Sequence, residues 1–369
     1  MLYFDHSATT PILPEVAQKI DHTNREHYAN PSSIYSLGRK ARSLIEKARQ
    51  QVADAIGAKA EQIYFTSGGT EANNQVLWSK LAEKKKHIIA SSIEHPAILK
   101  ALKRIESYGI TFSLLPVDNK GTVKADSLEH LINENTGLIS IMFANNEVGT
   151  IQPIQDIVKK TSSLDIPFHT DAVQALGKTP VNVSTLGVDY LSLSAHKFYG
   201  PKGIGALFVK NKKMLKPLII GGEQESGLRA GTENISGIVG MGLAAELASK
   251  NQKDCFEHLN ILKEYFMENL KPRFPNAIFN GNHNHCLPGL ISISFPKNRS
   301  DILMAKLDRK GIAVSNGAAC NTGNVKPSVV LKAMGIEDDL NISTLRISFG
   351  NGNSLDDVDQ LLKALEIII

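Results

Sequence analysis

The sequence has little cysteine: Cys255, Cys286 and Cys320 are its only three, each isolated from the others. An odd, scattered set is not a disulfide framework, and without a CxxC pair the usual signature of structural zinc is missing too. Cys255, in Lys253-Asp254-Cys255-Phe256, reads as an inert thiol on a long helix. Cys286 lies in Asn282-His283-Asn284-His285-Cys286, which bunches metal-ligand types but has no second cluster beside it. No metal is expected there. Long apolar runs are also absent. Stretches such as Ile88-Ile89-Ala90 are far too short to span a bilayer, so no membrane partner is expected. The opening Leu2-Tyr3-Phe4-Asp5-His6 lacks the basic region, apolar core and cleavage site of a secretory signal, which points to the cytoplasm. The net charge of +4 comes from scattered residues. Nucleic-acid binding needs a clustered basic stripe with aromatic partners, and none is present.

What the chain does have is length and alternation. A chain of 369 residues is too long for one small core and fits two packed domains. Residues 36–56 carry apolar side chains at helical spacing. From residue 61 to about 210, short apolar strands alternate with helical segments: 62–66, 87–91, 138–143, 167–170, 190–194 and 205–209. Strands apolar on both faces and separated by helices predict an α/β fold with a mostly parallel sheet. A helical stretch over 235–270 leads to a smaller α+β region with strands at 289–295 and 345–349 and helices at 300–310 and 355–368.

Ligands of such sheets collect beyond the carboxyl ends of the strands, and the reactive residues cluster there. Ser194-Ala195-His196-Lys197 closes one strand and precedes a glycine-rich turn. A lysine so placed can form a Schiff base with an aldehyde cofactor, while Ser194 and His196 can reach its phosphate. Gly68-Gly69-Thr70 follows another strand and opens a helix, whose free N–H groups and dipole favour a phosphate. A simple helix cap would explain that turn equally well. Asp171 ends a third strand, with Gln174 three residues on. It can hold the proton on a pyridine nitrogen, although a capping role alone would also suit it. His95 in Ile93-Glu94-His95-Pro96 can stack on a ring and move protons near neutral pH. Cys320 sits in Asn316-Gly317-Ala318-Ala319-Cys320-Asn321, a small, polar run that reads as a loop. Together these residues describe a pyridoxal-phosphate enzyme with a nucleophilic thiol of its own.

Further motifs extend the pattern: Asp5 to Pro11, Asn30-Pro31-Ser32-Ser33, Phe65 to Asn74, Asn145 to Gly149, His169 to Gln174, Ser194 to Gly205, Arg229-Ala230-Gly231-Thr232 and Ser315 to Pro327. Through them the chain resembles cysteine desulfurases of the NifS/IscS type. These belong to the class V aminotransferase group of fold-type I pyridoxal-phosphate enzymes. The resemblance implies a large domain over 13–255 with a seven-stranded sheet. It implies a small domain from 1–12 and 256–369, carrying a catalytic cysteine loop at about 316–326. By the same resemblance Lys197 holds the cofactor, Asp171 its pyridine nitrogen, and His95 stacks on its ring. Asn146 and Gln174 contact the ring hydroxyl, and Gly69, Thr70, Ser194 and His196 bind the phosphate. Thr232 of a second subunit joins them, which implies a homodimer with shared active sites. Arg346 grips the substrate carboxylate, Asn30 lies near the same end, Asn146 also binds the substrate, and Cys320 accepts sulfur from L-cysteine. The sulfur then passes to an acceptor protein, with an iron–sulfur scaffold among the candidates. The rival readings are a selenocysteine lyase and an aminotransferase or β-lyase on the same scaffold. Gly350-Asn351 departs from the pattern, since an arginine often follows this glycine in the family.

Overall fold

The computed structural model describes residues 1–317 and 326–369. After the short β1 (Leu2–Tyr3), the large sheet is built from β2 (Ile63–Thr66), β3 (His87–Ser91), β4 (Thr111–Leu115), β5 (Thr136–Ser140), β6 (Phe168–Asp171), β7 (Tyr190–Ser194) and β8 (Gly205–Val209). Their order across the sheet is β2-β8-β7-β6-β5-β3-β4. Only β8 runs against its neighbours, so this is the mostly parallel, seven-stranded α/β sheet that the sequence implied. Every strand except β4 is buried along its whole length, because helices cover both faces.

The edge strand β4 is the one the apolar pattern does not reveal. It exposes Thr111 and Leu114 and buries only Leu115, so it lacks the two-sided apolar signature of its neighbours. The expected strand over 138–143 lies two residues earlier, as β5. The chain then leaves the ladder, and the Phe143 N–H bonds to the carbonyl that ends β6, at Asp171.

Helix Ser36–Ala55 packs its buried face of Ala41, Ile45, Ala48 and Val52 against helix Ile235–Lys250. The helical stretch expected over 235–270 is two helices, Ile235–Lys250 and Gln252–Arg273. The break falls at Asn251, whose N–H closes the first helix on the Leu247 and Ser249 carbonyls. Asparagine competes with the helical backbone through its own amide and favours such termini.

Beyond that break, β9 (Ile278–Asn280), β10 (Leu290–Ser294), β11 (Ile312–Ala313) and β12 (Thr344–Ser348) form two small sheets. One is antiparallel in the order β12-β10-β9, and the other pairs β1 with β11 in parallel. Helices Gln252–Arg273, Ser300–Arg309 and Leu355–Ile368 complete a second core around Leu259, Phe266, Ile293, Leu345 and Leu361. Phe4, from the far end of the chain, is fully buried in it. Among the described residues no helix is long and apolar enough to cross a membrane.

Candidate active site

Strand β7 ends at the buried Ser194, and a single tight turn, Ala195–Lys197, carries the lysine off the sheet edge. The Lys197 ammonium donates to the carbonyls of Ser7 and Ala8, the latter at 2.8 Å. Neither acceptor is charged. Burial pushes the Lys197 pKa down to about 7, helped by the positive charges of Lys178 and Arg346, while Asp5 and Asp171 only partly oppose it. A large fraction of this amine is therefore neutral at physiological pH, the state that attacks a carbonyl.

Asp171 ends β6, the strand beside β7. Its Oδ2 accepts from Asn73 Nδ2 at 2.6 Å and its Oδ1 from the Val173 N–H at 3.0 Å. Both bonds fix the direction of its oxygens. Asn73 lies one turn into helix Gly69–Ser79, so the helix that follows β2 positions the carboxylate that follows β6. His95 caps helix Pro96–Ile105, with its Nδ1 accepting from the Ala97 N–H at 3.1 Å. That leaves the proton of the neutral ring on Nε2. Burial lowers the His95 pKa, Asp171 raises it and Lys197 lowers it, which places the three groups within one electrostatic cluster.

Glu94, next to His95, is fully buried. Burial lifts its pKa to about 8, so it is mainly protonated near neutrality. Its Oε1 accepts from Ser91 Oγ and the Met142 N–H, both at 2.6 Å. The acid thereby ties the turn carrying His95 to the end of β5. Gln174 donates to the Ser7 carbonyl at 2.9 Å and accepts from Lys178 Nζ at 3.1 Å. Lys178 is itself buried, and desolvation brings its pKa down to about 8.

Arg346 stands in the middle of β12 with a side chain only 6% exposed. Its Nη2 meets Asp5 Oδ1 at 2.6 Å and its Nη1 donates to the Asn146 carbonyl at 3.0 Å. Its buried Nε has no partner among the described residues. The guanidinium fork is thus held from two sides while keeping N–H donors to spare, as a carboxylate-binding arginine requires. Cys320 lies outside the described residues, but both flanks of its segment meet this cluster. Ser315 pairs backbone to backbone with Arg346, at 2.6 and 3.1 Å. On the other flank Ser328 Oγ donates to Glu147, the residue after Asn146.

At the opposite end of the cluster, Gly69 opens helix Gly69–Ser79 without any side-chain cap. A Cβ on Gly69 would lie 2.5 Å from Val173 Cγ2, and one on Gly205 would lie 2.6 Å from Gly68 Cα. Glycine is needed at both places to bring the helix start against β6 and β8. Uncapped N–H groups beside Ser194 and the exposed Thr70 suit a phosphate. His196 contributes through Nδ1, 3.2 Å from Thr9 Oγ1, and burial with the nearby Lys197 lowers its pKa to about 4. A buried lysine that readily gives up its proton, a fixed carboxylate and a phosphate-ready helix start together fit an aldehyde cofactor bearing a ring nitrogen and a phosphate.

Two expected site residues stand apart from this cluster. Asn30 is exposed, and its Oδ1 caps its own loop by accepting from the Ser32 N–H at 2.9 Å. Thr232 is exposed and lines, with Ser67 and Gly203, a separate cleft of about 220 Å³. Conversely Asp5, Asn73, Glu94 and Lys178 belong to the site's framework although the sequence reading gave them no role. Their partners are up to 341 positions away. The only sequence signal was their presence inside, or a few residues from, the matching motifs.

The aminotransferase class-V family model matches residues 2–361. Among curated proteins, the cysteine desulfurase IscS of Dictyoglomus turgidum (strain DSM 6724 / Z-1310) is 44% identical over all of this chain and 94% of its own length. A solved NifS-like protein superposes with a TM-score of 0.93 at 38% identity, covering 100% of this chain and 98% of its own. A structure described as SspA in complex with cysteine has a TM-score of 0.82 at 36% identity, over 95% of this chain and 99% of its own.

Proposed function

The chain belongs to the aminotransferase class-V family, and on that premise we propose that it is a pyridoxal-phosphate-dependent cysteine desulfurase. It converts L-cysteine to L-alanine and takes the sulfur onto Cys320 as a persulfide. The observation that carries this reading is the buried, charge-depressed Lys197 set between the fixed carboxylate of Asp171 and the Arg346 fork. When bound, the cofactor supplies an electron sink for a carbanion at the substrate Cα.

The protein's own residues do the rest. Asp171 would hold the proton on the ring nitrogen, and the bond from Asn73 keeps the carboxylate aimed. Gly69, Thr70, Ser194 and His196 hold the phosphate end, and Asn146 and Gln174 the ring hydroxyl. His95, with its proton on Nε2, would stack on the ring when the cofactor is bound and serve proton transfers at the sulfur. Arg346 binds the substrate carboxylate, with Asn30 near the same end, and the Lys197 amine removes the Cα proton. The Cys320 thiolate then forms an S–S bond to the substrate sulfur as the Cβ–S bond breaks, and the bonding pair stays with the substrate carbon, which takes up a proton on the way to alanine. Support for its reach comes from the flanks of its segment, which bond to Arg346 and to Glu147. A free thiol of ordinary pKa, about 8.5, is a few per cent ionised at neutrality, so full ionisation gains only about thirtyfold. Placement can contribute several kcal/mol more.

The reading extends to a homodimer in which the partner subunit's Thr232 completes each phosphate site, to a cytoplasmic location and to an acceptor protein for the sulfur. It also divides the chain into a large domain, 13–255, and a small one, 1–12 with 256–369. The core that joins Phe4 to Leu259 and Leu361 supports that division. The deciding experiment measures alanine and sulfide from L-cysteine without a keto acid, in the presence of excess thiol to reduce the persulfide and free its sulfur. Wild type forms both, whereas Cys320→Ser binds the cofactor but releases no sulfur. Normal turnover by that variant, or alanine only with a keto-acid partner, overturns the reading in favour of an aminotransferase or β-lyase.

A further inference from the structure

Lys263 is a lysine in an apolar place. It lies on the inner face of helix Gln252–Arg273 between Leu262 and Phe266 and is only 6% exposed. Among the described residues its side-chain nitrogen has one hydrogen-bond acceptor, the Cys286 sulfur, at 2.7 Å. Ordinary N–H···O bonds cluster near about 2.9 Å, and sulfur is larger than oxygen. The contact is therefore too close for a relaxed N–H···S bond, and it matches the separation set by one oxygen atom bonded to both nitrogen and sulfur.

The backbone on each side is fixed. Cys286 forms a β-bridge with Thr150. Its neighbours are tied to the same segment, with the Ile151 N–H donating to the His285 carbonyl at 2.9 Å and the Leu287 N–H to the Gly149 carbonyl at 2.8 Å. Lys263 is anchored by the helix around it. Cys286 itself is partly exposed, so a small oxidant can reach the sulfur. An isolated cysteine oxidises towards sulfenic and higher acids, but here an amine nitrogen lies close enough to share the incoming oxygen with the sulfur.

We infer that Lys263 and Cys286 form an oxidative cross-link site, closing a covalent N–O–S bridge in the presence of dioxygen or peroxide. The balance with dioxygen is direct. One N–H and the S–H bond break, N–O and O–S bonds form, one oxygen atom stays in the bridge, and the other leaves as water with the remaining two hydrogens. The lysine–cysteine pair loses four electrons and dioxygen gains them. Four thiol equivalents reverse the reaction, giving back amine, thiol and water with two disulfides. The bridge would span 23 positions, joining the helix of the small core to the loop that pairs with the Asn145–Thr150 turn. It lies outside the cofactor cluster, and the inference does not depend on the proposed activity.

The test is peptide mass mapping of the whole protein. It is purified under reducing, oxygen-free conditions, then exposed either to dioxygen-saturated buffer or to a small excess of hydrogen peroxide. The expected product is a joined pair of peptides containing Lys263 and Cys286, heavier than their sum by one oxygen and lighter by two hydrogens. Trypsin fails to cut after Lys263, and excess thiol restores both free peptides. Lys263→Arg and Cys286→Ser each abolish the joined species, while both keep wild-type turnover of cysteine in reducing buffer within about twofold, as changes away from the site should. Recovery of Cys286 as a thiol, a sulfur acid or a disulfide, with Lys263 unmodified, overturns the inference. So does a joined species that persists in Cys286→Ser.

Discussion

Lys197 holds its proton far less tightly in the folded chain than in the unfolded one, where an ordinary lysine titrates near 10.5 and the folded amine near 7. Between those values the unfolded state carries the extra proton, so stability rises with pH across that window. Below about 7 the charged amine is buried in both pH and place at a cost that Lys197→Met removes. Without cofactor, that variant should therefore melt several degrees above wild type at pH 6, with the margin shrinking towards pH 10. Calorimetry at four or five pH values checks the slope. A second prediction concerns the Arg346 fork, which meets Asp5 and the Asn146 carbonyl through separate nitrogens. Arg346→Lys keeps the charge and loses the fork. Its KM for cysteine should rise roughly 10- to 100-fold, the worth of a charge-assisted hydrogen bond or two, with cofactor absorbance unchanged. Lys197, Asp171 and His95 could be picked out from sequence because each follows a strand in a polar run. Asn73 and Asp5 could not, since their importance arises only when chain segments 98 and 341 positions apart meet.

Individual elements show the same division. Strands buried on both faces betrayed themselves by short apolar-rich stretches, Ile88-Ile89-Ala90 in β3 and Tyr190-Leu191 with Leu193 in β7, whereas β4 hid because an edge strand has one wet side. The break at Asn251 was invisible to periodicity, since apolar residues continue at helical spacing on either side. Close approaches between elements are where single changes should hurt. Gly205→Ala drives a Cβ to 2.6 Å from the Gly68 backbone. Overpacking there should cost about 1–3 kcal/mol and shift the start of the Gly69–Ser79 helix, so denaturant melts and cofactor retention on dialysis should both decline. Elsewhere Glu225 joins three elements. Its carboxylate takes Arg49 on both oxygens, at 2.7 and 2.8 Å, and also the Phe65 N–H of β2 at 2.8 Å. Its side chain is 3% exposed. Glu225→Ala strands a mostly buried guanidinium and should lower the unfolding free energy by about 3–5 kcal/mol, read from urea melts.

For the whole molecule, residues 2–10 act as a strap. β1 pairs with β11, Phe4 fills the second core, Asp5 meets Arg346, and the Ser7 and Ala8 carbonyls receive Lys197. Thr10 follows, donating its hydroxyl to the His196 carbonyl at 3.0 Å. Removing residues 2–8 should leave the large sheet folded by circular dichroism yet weaken cofactor retention at least tenfold, since Lys197 loses both of its acceptors. Ribosomes deliver this strap early, but Arg346 emerges 341 positions after Asp5. Until then the strap has nothing to fasten to, and closing so long a loop is slow. A nascent polypeptide therefore stays chemically silent until Arg346 has followed Asp5 out of the ribosome, and the reactive centre switches on only when two portions so far apart in order of synthesis find each other.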